Sequence, residues 1–130
     1  MRKVAKISSS LEDYLEAIYE IIEEKRDARA KEVASRLSVA ASSVSVALQG
    51  LSRRGLIHHL PYNAITLTPT GKKLAEEIAH RHRVLKRFFV EVLEVENSVA
   101  DDCACKMEHI ISDEVLGRFM EFIETKAVKK

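Results

Sequence analysis

The stretch that most restricts the fold is "ARAKEVASRLSVAASSVSVALQGLSRRG" with the residues that follow it. Val33, Ala34, Leu37, Val44, Ala47 and Leu48 recur at helical spacing, which predicts two short helices over 30–37 and 41–54. The turn between them is "LSVAA", and Ala34 is small enough for a second helix to cross close above the first. Gly55 after Arg53-Arg54 reads as a helix stop with cations in the last turn. Next, "LIHHL" and "AITLT" flank "PYN", the pattern of a β-hairpin with a Pro-Asn turn. Two crossing helices followed by a hairpin are the parts of a winged helix-turn-helix.

Helices dominate the rest of the chain. Leu11, Tyr14, Leu15, Ile18 and Ile22 form one apolar stripe on a first helix running to about Lys25. Ser10 and Asp13 form an S-x-x-D pattern, which predicts a capping box at its start. Thr68-Pro69 supplies a hydroxyl cap and a proline at the first helical position. A long helix is predicted from there over 69–93, with Leu74, Ile78, Leu85, Phe88 and Phe89 in its core. Another helix starts at Asn97-Ser98 and runs to His109. Ser112 caps a last one over 113–125, with Leu116, Phe119 and Ile123 inward, and "KAVKK" reads as a frayed tail. The prediction is a mainly α chain: a winged helix-turn-helix over 1–70, then a helical domain over 71–130.

At 46% hydrophobic and 32% charged, the chain can bury a core and carries a strongly charged surface. It has no apolar run of membrane-spanning length, and "MRKVAKISSS" is basic without the apolar core of a secretory signal. Cys103 and Cys105 stand too close to staple a fold, which fits a reducing cytoplasm where thiols bind metal or stay free. The net charge of +1 is unevenly spread. Arg29, Lys31, Arg36, Arg53 and Arg54 face only Glu32 within 29–54, whereas 94–125 is acidic. A polyanion at one end and a cation at the other would satisfy both.

The basic region points to double-stranded DNA. A recognition helix offers its early residues to base edges in the major groove. Here these are Ser42, Ser43, Ser45, Val46 and Gln49. Glutamine bonds adenine bidentately and valine touches a thymine methyl. Lys31, Arg36, Arg53 and Arg54 are the candidates for phosphate, with Tyr62 and Asn63 in the wing.

The acidic region carries "CACKMEH". Cys105, Glu108 and His109 stand at i, i+3 and i+4, on one face of a helix. Thiolate, carboxylate and imidazole are the common metal-ligating groups. The long helix adds His82, and the first helix adds Asp13 and Glu16. Each also has a plain reading: Asp13 as a cap, Glu16 and Glu20 as solvated acids, His80 and His82 as surface residues. Cys103 reads as a thiol outside the ligand set, and His58 and His59 belong to the hairpin.

"LEDYLEAIYEI", "RLSVAASSVS", "LTPTGKKLA" and "CKMEHIISDEV" together resemble the diphtheria toxin repressor family of metal-dependent transcriptional repressors, in its short two-domain form, over residues 9–125. The resemblance implies a winged helix-turn-helix followed by a helical metal-binding and dimerisation domain. It implies metal ligands at Asp13, Glu16, His82, Cys105, Glu108 and His109. Asp13 and Glu16 resemble the manganese-responsive branch, and Cys105 the iron-responsive one. Lys86 and Asp101 depart from the acid and histidine of the iron branch's ancillary site.

The resulting expectation is a cytoplasmic homodimer, not an enzyme, in which a divalent cation promotes operator binding. Mn(II) and Fe(II) are favoured, and Zn(II) and Co(II) also suit the donors. The metal would tether the first helix to the later ones and set the spacing of two recognition helices at about 34 Å, one DNA turn. The outcome would be repression of metal-uptake genes. The chief alternative is a winged-helix regulator that answers to a small organic ligand and uses any metal only structurally. A nucleophilic Cys105–His109 pair is a further rival, without an oxyanion donor or orienting group to support it.

Overall fold

The computed structural model describes residues 7–59 and 64–129, with side chains up to residue 125. The chain divides into a first compact unit, Ala5–Glu76, and a second that contains Glu77–Lys130.

In the first unit, α1 (Ser9–Lys25), β1 (Ala28–Arg29), α2 (Ala30–Leu37), α3 (Ala41–Arg53), β2 (Ile57–His59) and β3 (Ala64–Leu67) follow one another. The cap of α1 is Ser8, not Ser10: its Oγ accepts the Leu11 N–H at 3.2 Å. A hydroxyl at that position meets the free N–H groups of the first turn, whereas Ser10 is already inside the helix. The inward face of α1 is Tyr14, Leu15, Ala17, Ile18 and Ile21. Ile21 replaces the expected Ile22 because 3.6 residues per turn carry the stripe from Ile18 to Ile21 as readily as to Ile22. Helix α1 packs on α2 and α3. Ion pairs fasten the first of these contacts: Lys25 Nζ lies 2.6 Å from Glu32, and Arg36 lies 2.9 Å from Glu24 and 3.3 Å from Glu20.

The turn from α2 to α3 is made at Ser38, whose φ of 56° lets its N–H return to Ala34 O. Strand β3 pairs antiparallel with β2, His58 opposite Thr66. The expected hairpin is thus present as β2 and β3, and its turn lies at 60–63, outside the described residues. A third strand, β1, pairs on the other side of β3, with Ala28 opposite Ile65. Two residues are too few to show a strand period, so pairing creates β1 and pattern does not announce it.

Helix α4 (Pro69–Glu91) opens as its Thr-Pro start predicts. Thr68 Oγ1 donates to Gly55 O at 2.6 Å and accepts the Gly71 N–H at 2.9 Å. Thr68 N–H donates to Leu56 O at 3.1 Å. The backbones approach so closely that a Cβ on Gly71 would stand 1.8 Å from Leu56 O. Glycine is required there for space.

In the second unit, the end of α4 meets α5 (Asn97–Met107) and α6 (Asp113–Lys129). Val84, Leu85, Ala104, Leu116 and Ile123 are its buried core. Phe88 stacks on Phe119 with centroids 4.5 Å apart and planes 9° apart. The backbone of α6 stays helical to Lys129, past the expected end at 125, so the residues expected to fray continue its ladder. No helix among the described residues is long and apolar enough to cross a membrane.

Candidate metal centre and nucleic-acid interface

Helix α3 divides cleanly by face. Val44, Ala47, Leu48 and Leu51 are buried, while Ser42, Ser43, Ser45, Val46, Gln49 and Arg53 are exposed. Val46 is the anomaly: a β-branched apolar side chain left 70% exposed on an otherwise polar face. Its N-cap is Ala40, which has no side-chain acceptor, so Ser42 and Ser43 are helical residues and not caps. A groove of about 680 Å³ runs between this face and the start of α1, lined by Ser8, Ser10, Tyr14, Ser43, Val46 and Arg53.

The candidate phosphate contacts differ in their freedom. Lys31 and Arg53 are exposed. Arg54 donates to Gly50 O at 3.2 Å. Arg36 is held by Glu24 and Glu20, and the Glu24 hydrogen bond raises its pKa further. Tyr62 and Asn63 lie outside the described residues.

The second unit gathers three of the candidate ligands. His82 comes from α4, Cys105 from α5, and Glu108 from the C-cap of α5. One donor atom of each lies within 4.8 Å of the other two. His82 Nδ1 donates to Glu108 Oε1 at 2.7 Å and stands 3.7 Å from Cys105 Sγ. On its far side, His82 Nε2 donates to Asp101 Oδ1 at 2.8 Å. With acids against both ring nitrogens, the ring carries two protons. The hydrogen bond to Cys105, then that to Glu108, then that to Asp101 push the His82 pKa up to about 11 against the downward pull of burial. His82 in turn holds the Asp101 carboxyl below its usual range, with Lys86 helping at 3.5 Å.

Glu108 is wholly buried, which is rare for a carboxylate without full compensation. Oε1 has His82, but Oε2 has no hydrogen-bond partner among the described residues. His109 Nε2 lies 3.7 Å from Oε2, beyond hydrogen-bond reach. A buried guanidinium stands behind it: Arg81 Nε donates to the Glu108 backbone carbonyl at 3.0 Å. An orphaned buried oxygen beside a thiol and an imidazole is the donor set a divalent transition metal takes. The residues therefore fit a metal ion. Asp13 and Glu16 lie on α1 in the first unit, Asp13 exposed and Glu16 buried. Cys103 is exposed.

Sequence reasoning singled out Asp101 and Lys86 only as departures from a family pattern, and passed over Arg81. A local signal existed for the first two. Asp101 and Cys105 are i, i+4 on α5, and His82 and Lys86 are i, i+4 on α4, so each pair shares a helical face.

Residues 6–65 match the N-terminal DNA-binding domain of the iron-dependent repressor family. Residues 68–128 match that family's metal-binding and dimerisation domain. An uncharacterised helix-turn-helix transcriptional regulator of Methanocaldococcus jannaschii is 40% identical over 91% of this chain and 95% of its own length. The chain belongs to the iron-dependent repressor family. The transcriptional regulator MntR of Escherichia coli O6:H1, another relative, is 36% identical over 92% of this chain and 76% of its own. The solved structure of a manganese-dependent transcriptional repressor in complex with manganese superposes with a TM-score of 0.81 at 31% identity, covering 88% of this chain. This chain spans about half, 52%, of that one. A family of metal-dependent transcriptional repressors gives no support to a small organic effector in place of metal.

Proposed function

We propose that this chain is a homodimeric repressor that grips its DNA operator when a divalent cation occupies the centre at His82, Cys105 and Glu108. Mn(II) or Fe(II) is the favoured effector: carboxylate and imidazole suit either, and the Cys105 thiolate leans toward the later ion. His109 and, from α1, Asp13 and Glu16 are proposed to complete the ligand set. Metal-uptake genes are the proposed targets, since a repressor that needs the ion as co-repressor closes a feedback loop on its supply. The single observation that carries the reading is the buried Glu108 carboxylate, whose Oε2 accepts no hydrogen bond among the described residues, next to His82 and Cys105. When bound, the metal supplies the positive charge that this oxygen lacks.

The protein's own groups would do the rest. His82 would give up a proton on loading and Cys105 would bind as thiolate, so metal uptake would release acid. Exposed Ser42, Ser43, Ser45, Val46 and Gln49 would meet base edges, and Lys31, Arg53 and Arg54 the phosphates. A coupling of about 1–3 kcal/mol between metal and DNA would change operator affinity about 5- to 150-fold. The test is fluorescence anisotropy on a duplex selected from a randomised library with Mn(II) present, titrated against apo, Mn(II)-, Fe(II)-, Co(II)- and Zn(II)-loaded protein. Equal affinity in the apo and all loaded forms would sink the proposal.

A further inference from the structure

The two nitrogens of His82 face different surroundings. Nδ1 faces the buried Glu108 carboxylate and the exposed Cys105 thiol, whereas Nε2 meets Asp101, a half-exposed acid on α5. A neutral imidazole keeps one proton, and the hydrogen bond made by its other nitrogen decides which nitrogen binds metal. Asp101 does not act alone, for Lys86 Nζ lies 3.5 Å from the same Oδ1. The space on this side of the ring, about 390 Å³, is lined by Arg83, Lys86 and Arg87 as well as by Asp101. Its other acid, Glu91, already accepts from Arg87 at 2.9 Å. That side is rich in cations, and both of its carboxylates are already engaged, Asp101 twice and Glu91 by Arg87.

We propose that Asp101 is a positioning residue that holds the proton on His82 Nε2 and so presents Nδ1 to the metal, while Lys86 is a fixed cation that keeps a second ion off the Nε2 side. This rests on the reading of His82, Cys105 and Glu108 as metal ligands. It adds a direction to the ring and a limit on occupancy. With a metal held there, His82 would give up its Nδ1 proton to solvent and keep the Nε2–H bond to Asp101. With Asp101 ionised and acceptor-only, the opposite tautomer would leave its oxygen facing a ring lone pair. With Lys86 in place, a second cation would have to displace an ammonium that is part of the chain.

The experiment uses the full chain labelled with ¹⁵N-histidine and loaded with Zn(II), which is diamagnetic. Long-range ¹H–¹⁵N spectra report each ring nitrogen separately. The expected result is a metal-bound Nδ1 and a protonated Nε2 on His82. Asp101→Ala should lower Zn(II) affinity about 10- to 100-fold, the usual cost of losing an outer-shell partner, and speed exchange of the Nε2 proton. Asp101→Asn, whose side-chain carbonyl still accepts that proton, should restore most of the affinity and the slow exchange. Lys86→Glu should bind one more equivalent of Zn(II) by equilibrium dialysis than the parent chain. A zinc-bound Nε2, or an Asp101→Ala variant with parental affinity and exchange, overturns the role of Asp101. Unchanged stoichiometry in Lys86→Glu overturns that of Lys86. If Zn(II) shifts neither nitrogen of His82, the metal centre itself falls, and this inference with it.

Discussion

The outer face of α3 and the His82–Glu108 cluster hold their chemistry in opposite ways. On α3 the functional candidates are exposed side chains over an apolar layer that is complete without them. In the cluster the chemistry reaches the interior: Glu108 is fully buried and Arg81, which holds its backbone carbonyl, is 3% exposed, with Cys105 at the exposed rim. A solvated face can be altered with little effect on the fold beneath it. A buried charge cluster cannot, because removing one member leaves the others uncompensated.

Glu108→Ala should therefore produce the largest effect, and in two measurements at once. Metal affinity by calorimetry should fall by more than the 10- to 100-fold typical of outer-shell partners. Apo stability should fall by about 3–5 kcal/mol in urea, since His82 loses its buried anion, while the Arg81 bond to the backbone carbonyl at 108 survives the substitution. A variant that lost metal but kept full stability would make the cluster resemble the α3 face and break the contrast.

Gly71→Ala should come next, at about 1–3 kcal/mol of stability by urea unfolding, because a Cβ would be driven into the Leu56 carbonyl. It locates stability in the first unit away from the recognition face. Gln49→Ala should leave unfolding within about 0.5 kcal/mol of the parent. It should weaken discrimination at one base pair by about 1–3 kcal/mol, read from anisotropy on a set of single-substituted duplexes. Val46→Ala should behave likewise at a thymine, and a core-like loss of stability there would contradict its exposure.

The remaining effect is a slope with pH. The pKa of His82 is raised from 6.5 to about 11 in the fold. Its contribution to apo stability is thus fully present below about pH 6.5, shrinks as pH climbs, and is gone above about 11. Urea unfolding of metal-free protein should show less stability at pH 9 than at pH 6, and His82→Gln should flatten the difference. The same proton opposes metal at low pH, so loading should strengthen as pH rises.

How much was legible in the sequence follows the same division. Apolar periodicity placed α2 and α3 within a residue, and "TPTG" marked the start of α4, because those signals are local. The Ser8 cap, Ile21 and the two-residue strand β1 were missed because each depends on where the chain meets something else. At the cluster, the i, i+3, i+4 spacing of Cys105, Glu108 and His109 was visible, as was His82 as a candidate. The depth of Glu108 and the Arg81 contact to its carbonyl were not, since both join α4 to the end of α5. Burial of a charged residue leaves no mark in composition.

Arg36 carries one more consequence. Its positive charge already has a counterion, supplied by Glu24 and Glu20 of the neighbouring helix. If a phosphate takes this guanidinium, the group displaced is a tethered carboxylate and not a free ion from the surrounding salt. The dependence of binding on ionic strength counts the cations that the DNA gives up, so an Arg36 contact would still show in the salt slope, but it would add less affinity than a contact from an unpaired cation because the two carboxylates are left facing the phosphate.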